Sequence, residues 1–226
     1  RGIRQIYHRA STVIPFALTG EEPFLAGGAS VDGKFDRLEA EEIHLLQVGQ
    51  LTSDKRPEVA LAVLKLLRHR FPHATLTFVG DGPRREALEQ EVDRLGLRPA
   101  VRFLGFQNER ELTQLYEASH ILLFPGAHQP LGLVPIEAIF HSVVPIVADT
   151  AGVAEILQRH GLTTIVPATA EAFAEQVMTI VARRATLGSW LADLRRSLAT
   201  ELSYERFLDC YEQCFQEAIF ARGSRP

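Results

Sequence analysis

Nine residues, Gln129-Pro130-Leu131-Gly132-Leu133-Val134-Pro135-Ile136-Glu137, hold the groups of this chain best placed to do chemistry together. They follow an apolar run at 121–124 and lead into a short helical pattern at 136–140. A strand, a glycine-bearing loop and a helix start, in that order, offer unpaired backbone N–H groups to an anion. Gly132 lets that backbone approach a ligand closely, and Glu137 can accept hydrogen bonds from sugar hydroxyls. The combination suits a nucleotide-sugar, its diphosphate at the helix start and its hydroxyls on polar side chains at either end. The run opens on Gln129, a neutral amide.

The elements that must position these groups are legible from periodicity. Apolar runs at 45–48, 75–79, 101–104, 121–124, 144–148 and 163–166 read as strands. Between them, helical patterns occupy 57–69, 84–95, 109–119, 136–140 and 152–159. Strand–helix units of this length imply a doubly wound α/β fold with a parallel, Rossmann-like sheet covered on both faces. Ligands of such folds sit outside the carboxyl ends of the strands. The loops of interest are therefore 49–56, 80–83, 105–108, 125–132 and 149–152. After Pro167 the pattern is helical throughout, at 170–184, 186–200 and 203–220, with Ser203 as a good N-cap. The first forty residues carry one strand-like run, 12–16, and a glycine- and acid-rich stretch, 20–33, that reads as a linker.

Composition excludes several classes. The 226 residues are 46% hydrophobic and 23% charged, with a formal net charge of −4, and no basic face is visible for nucleic acid. No apolar run approaches the roughly 20 residues of a membrane helix, and no signal peptide is expected. Arg1 in place of Met points to a processed chain or a part of something longer. Cys210 and Cys214 lie four apart in a helical pattern, which suits packing thiols in a reducing cytosol better than a disulfide framework. A cytoplasmic location is expected. His69 and His73 are separated by Pro72, so no metal site is expected there.

Six separated stretches, in order, resemble one family. Val31-Asp32-Gly33-Lys34-Phe35 looks like a hinge entering a Rossmann domain, and Val48-Gly49-Gln50-Leu51 with Lys55 like its first strand and phosphate loop. Phe78-Val79-Gly80-Asp81-Gly82-Pro83, Val101-Arg102-Phe103-Leu104-Gly105-Phe106 and Leu123-Phe124-Pro125 look like the next three strand ends. Residues 129–137 then fall on a Glu, seven residues, Glu pattern with its glycine in register. The chain thus resembles the nucleotide-sugar-binding C-terminal half of the GT-B retaining glycosyltransferases, most of all those of glycosyltransferase family 4.

The resemblance implies a donor site on this half and an acceptor-binding N-terminal domain that the parent chain or a partner would supply. It divides the chain into an N-terminal remnant and linker (1–30), the donor domain (31–202) and a crossing helix with tail (203–226). It implies that Lys55 meets the donor diphosphate, that Glu137 holds the ribose hydroxyls, and that Gln129 stands where an acid touches the sugar near its reacting carbon. Gly49, Gln50, Pro130, Leu131, Gly132, Leu133 and Val134 would line the donor, the last three through backbone amides, and Phe106 would border the base. Gly80 and Gly82 are expected to serve a tight turn instead. No cofactor or metal is implied: the leaving diphosphate itself would take the acceptor proton, its charge stabilised by Lys55 and the loop amides.

Several positions depart from the family pattern. Gln50 replaces an arginine, losing charge and a bidentate fork, and Arg56 replaces a glycine. His141-Ser142 stands for a small residue plus glycine, and Ala151-Gly152 for a double glycine. Three readings stay open: a donor-binding half of a glycosyltransferase, a non-catalytic module with an eroded site, and another GT-B enzyme such as an epimerase or a phosphorylase.

Overall fold

A computed structural model describes residues 34–35, 42–127 and 132–223, with side chains as far as residue 213. The strand expected at 12–16, the hinge residues Val31, Asp32 and Gly33, and the site residues Gln129, Pro130 and Leu131 lie outside the described residues.

Six parallel strands form one sheet: β1 His44–Val48, β2 Thr75–Val79, β3 Val101–Phe103, β4 Ile121–Phe124, β5 Val144–Ala148 and β6 Ile165–Val166. Their order is β3-β2-β1-β4-β5-β6. Consecutive connections run outward from β1 to β3, then return to β4 on its other side. The order therefore reverses between β1 and β4, the place where open α/β sheets receive ligands. The strands are short, and β4 and β5 are wholly apolar, as burial on both faces demands.

The helices are α1 Pro57–Leu67, α2 Arg85–Arg94, α3 Glu109–Glu117, α4 Val134–Phe140, α5 Gly152–Arg159, α6 Ala170–Ala182, α7 Arg184–Glu201 and α8 Tyr204–Gly223. Helix α3 starts on a reciprocal cap: Asn108 accepts from the Glu111 N–H at 3.0 Å, and Glu111 accepts from the Asn108 N–H at 3.0 Å. One face of the sheet meets α3 and α4 through Leu46, Val79, Tyr116, Leu122, Ala138 and Val143, all buried. Helices α1 and α6 pack side by side.

The start of α4 and the approach to β3 differ from expectation. Helix α4 begins at Val134, two residues before the periodicity shows it, because Pro135 falls in the first turn, where its missing N–H has no partner to lose. A 3₁₀ turn at Arg98–Ala100, unseen in the sequence, precedes β3. The described residues up to Arg195 form one compact unit, and those from Arg196 belong to a second. In the second, Ser203 Oγ caps α8 by accepting from the Arg206 N–H at 3.2 Å. Cys210 is half-buried, less enclosed than packing of its thiol had suggested.

Candidate functional site

Strand β1 ends in a loop that backbone contacts tie to the loop after β2. The Gly49 N–H donates to Val79 O, the Leu51 N–H to Asp81 O and the Arg84 N–H to Leu51 O, each at 2.9 Å. These stitches draw the β1 and β2 loops so close that side chains are excluded. A Cβ on Gly80 would stand 2.1 Å from Gly49 O, and one on Gly82 would stand 2.6 Å from Leu51 O. Both glycines are thus required by chain-on-chain approach, in keeping with the turn role expected of them.

Gln50 projects into solvent and Lys55 is half-buried in the turn before α1. The carbonyl of Lys55 accepts from Gln47 Nε2 at 3.1 Å. Gln47 is 6% exposed, and its Oε1 is buried without a partner among the described residues. This side chain fastens the lysine-bearing turn to the strand beneath it. One residue earlier, Asp54 O accepts from the Ala127 N–H at 3.1 Å, joining the β1 loop to the β4 loop across the reversal point. Arg56 then enters α1 with φ 51° and ψ 51°. That left-handed conformation is why glycine suits the position.

Beyond β4, Gly132 lies against the Phe124 ring: an added Cβ would meet Cζ at 2.7 Å. Its lack of a side chain serves packing on Phe124, a demand separate from the close approach to a ligand expected of it. The Leu133 carbonyl accepts from the Glu137 N–H at 2.9 Å, closing the first turn of α4. Among the described residues no carbonyl accepts from the N–H groups of Gly132, Leu133 and Val134, as befits a helix start.

Glu137, in the first turn of α4, is half-buried, and its Oε2 accepts from the Tyr116 hydroxyl at 2.9 Å. Burial pushes its carboxyl above the usual value, and the tyrosine bond pulls it partly back. Tyr116 is 1% exposed and stacks on His141, ring centroids 5.1 Å apart and planes within 6°. Lys34 Nζ donates to the carbonyls of both Tyr116 and His141 at 3.2 Å. Burial lowers Lys34 to about 8; Glu117 acts upward on it and Arg195 downward.

Helix α4 ends on Ser142, which is buried at φ 58°, with the Ser142 N–H donating to Ile139 O at 3.1 Å and the Val143 N–H to Ala138 O at 2.8 Å. This pair of bonds is the helix stop that normally takes glycine, which explains the family preference there. Arg195 donates to Ser142 Oγ at 2.6 Å. Ala151 has φ −79°, an ordinary value, so losing the first of two glycines creates no strain.

Phe106, past the end of β3, is 77% exposed. The Gly80 N–H donates to Gly105 O at 2.7 Å, drawing that loop toward the β1–β2 edge of the site. Two strand spacings, about 10 Å, separate β3 from β1. Gln47, Tyr116 and Lys34 were not foreseen. Tyr116 reads in the sequence as one more apolar position after Leu112 and Leu115, and nothing in a linear pattern marks Gln47 or Lys34 as buried. Among the described residues no cluster of three His, Cys, Asp or Glu side chains is gathered for a metal, and no helix is long and apolar enough to cross a membrane.

Known proteins resemble this chain in sequence and in fold. An uncharacterized glycosyltransferase of Methanocaldococcus jannaschii is 32% identical over 118 residues, covering 52% of this chain and 30% of that protein. The chain spans less than half the length of the curated relatives it matches first. Sucrose-phosphate synthase from Thermosynechococcus elongatus superposes with a TM-score of 0.75 at 22% identity, over 97% of this chain and 56% of that one. HepE of Anabaena, solved in complex with UDP, gives 0.71 at 18% identity, over 92% of this chain and 57% of that one. These likenesses identify the fold as that of the C-terminal half of GT-B proteins. Residues 33–196 match the family "Glycosyl transferases group 1", and the chain belongs to that family.

Proposed function

We propose that this chain is the donor-binding half of a retaining glycosyltransferase that moves a sugar from a nucleotide-diphosphate sugar to a hydroxyl acceptor. The observation that carries the reading is Glu137: a half-buried carboxyl in the first turn of a helix, beside the reversal point of the sheet. Burying a carboxyl is costly unless something binds it, and ribose hydroxyls are suitable donors for the rest of its lone pairs. The N–H groups of Gly132, Leu133 and Val134 would take the diphosphate, with Lys55 neutralising charge as the nucleotide leaves. Gly49 and Gln50 would border the phosphates, and Phe106 would offer an aromatic face to the base. The binding of UDP by a neighbour of the same fold supports a nucleoside diphosphate as the ligand class.

In this reading Gln129, Pro130 and Leu131 complete the sugar side of the site, and no metal takes part. The acceptor would be held by an N-terminal domain, from the parent chain or a partner, facing residues 31–202. A second reading, a non-catalytic module with an eroded donor site, is favoured by the neutral, exposed Gln50. Calorimetric titration with UDP and with GDP separates the two. Micromolar binding of either, weakened at least tenfold in Glu137→Ala, supports the donor site; absence of binding by both supports the eroded module.

A further inference from the structure

The residue that decides how Glu137 meets a ligand is on another helix. Tyr116 belongs to α3, and its ring is held by stacking and by burial in the core. It stacks on His141 and packs into the cluster of Leu46, Val79, Leu122, Ala138 and Val143. Its backbone carbonyl is held by Lys34 Nζ, and so is that of its stacking partner. A phenol packed in this way presents its hydroxyl at one point, and that point is 2.9 Å from Glu137 Oε2. Resting on the donor-site reading, we propose that Tyr116 is the positioning residue of that site, occupying one oxygen of Glu137 so that the other is aimed at the ribose.

The consequences are both geometric and electrostatic. With Oε2 engaged, the carboxylate plane is set and only Oε1 is left to choose its partner. A donor on the carboxylate also favours the ionised form, which accepts from hydroxyls more strongly than the acid does. Removing the phenol oxygen leaves burial unopposed, so Glu137 takes up a proton more readily. The neighbouring charged and titratable groups are Glu117 beside Tyr116 on α3, Lys34, His141 at the end of α4 and Arg195 on α7; they act on one another. Tyr116 is the group that bonds to Glu137 itself.

The test is calorimetric titration of the chain with UDP and GDP at pH 6 and pH 8. Tyr116→Phe keeps the ring and its stacking and deletes one oxygen. Affinity for the nucleotide that the unmodified protein binds should fall about tenfold at pH 6 and less at pH 8. In a Glu137→Ala background the same substitution should change nothing further, because the effect passes through the carboxyl. A Tyr116→Phe affinity equal to that of the unmodified protein at both pH values, or an equal loss in both backgrounds, overturns the inference while leaving the donor site standing. Absence of binding by the unmodified protein removes the donor-site reading and the inference with it. If Tyr116→Phe does not fold, carbon NMR titration of the Glu137 carboxyl in the unmodified protein replaces it: an ionised group at pH 7.5 supports the assignment, and a protonated one overturns it.

Discussion

Gly80 approaches Gly49 so closely that a methyl group on the first would stand 2.1 Å from the carbonyl oxygen of the second. Gly80 also has φ 118°. Gly80→Ala therefore combines backbone strain with a collision between main chains, neither of which a rotamer change relieves. Gly49→Ala, at φ 136° with nothing within 4 Å of the added carbon, carries strain alone. Urea unfolding should show Gly80→Ala losing more than about 3 kcal/mol and Gly49→Ala about 1–3 kcal/mol. Equal losses would mean that the two loops are not pressed together as described.

Glu137 should be held at the expense of stability. Its carboxyl is raised above the usual 4.5, so the unfolded chain ionises before the folded one as pH rises. Stability from this group is fully present below the unfolded value and is lost as pH climbs through the folded one. Glu137→Gln keeps an acceptor for Tyr116 and removes the charge. Thermal melting should show a higher Tm at pH 7, by roughly 2–4 °C for each kcal/mol relieved, and no gain at pH 4. A lower Tm at pH 7 would contradict the burial cost.

Lys34 has the opposite window. Its pKa is pushed down from 10.5 to about 8 by burial. Between those values the unfolded chain binds a proton that the folded chain has released, so stability rises with pH. Above 10 the buried Tyr116, whose pKa is raised well above its ordinary value, works in the other direction. The gain from pH 8 to pH 10 should be roughly 2 kcal/mol and should vanish in Lys34→Met. A rise that persists in the variant would assign it to another group.

Arg56 occupies a left-handed conformation at φ 51°. That region costs a residue with a Cβ about 1–2 kcal/mol, and glycine returns part of the difference as unfolded-chain entropy. Arg56→Gly should stabilise the protein by roughly 0.5–1 kcal/mol in chemical denaturation. If Arg56 also assists Lys55 with phosphate, UDP affinity falls in the same variant; an unchanged affinity confines the residue to the turn.

Gly132 rests on Phe124, so Gly132→Ala must displace the ring, Cζ lying 2.7 Å from the new carbon. Nucleotide binding should weaken several-fold as the loop shifts, by roughly 1 kcal/mol. Phe124→Leu in addition should recover part of that affinity by making room. Failure of the second change to recover anything would show that Gly132 answers to the ligand and not to the ring.

The sequence by itself determined the sheet. Strands β2, β4 and β5 fall where apolar runs end in glycine, proline or aspartate, because a strand buried on both faces leaves an unmistakable block of apolar letters. It also determined the loops at the carboxyl ends and the place of Glu137 in its helix, since glycine, proline and acid are read locally. Tertiary structure decided which side chains support them. Gln47 reaches the carbonyl of Lys55 only after a loop folds back, and Lys34 joins carbonyls 82 and 107 residues away. Tyr116 meets Glu137 because two helices lie on the same face of the sheet, a relation set by strand order and crossover direction. Such contacts depend on long-range packing, for which a linear pattern of apolar and polar residues carries no signal.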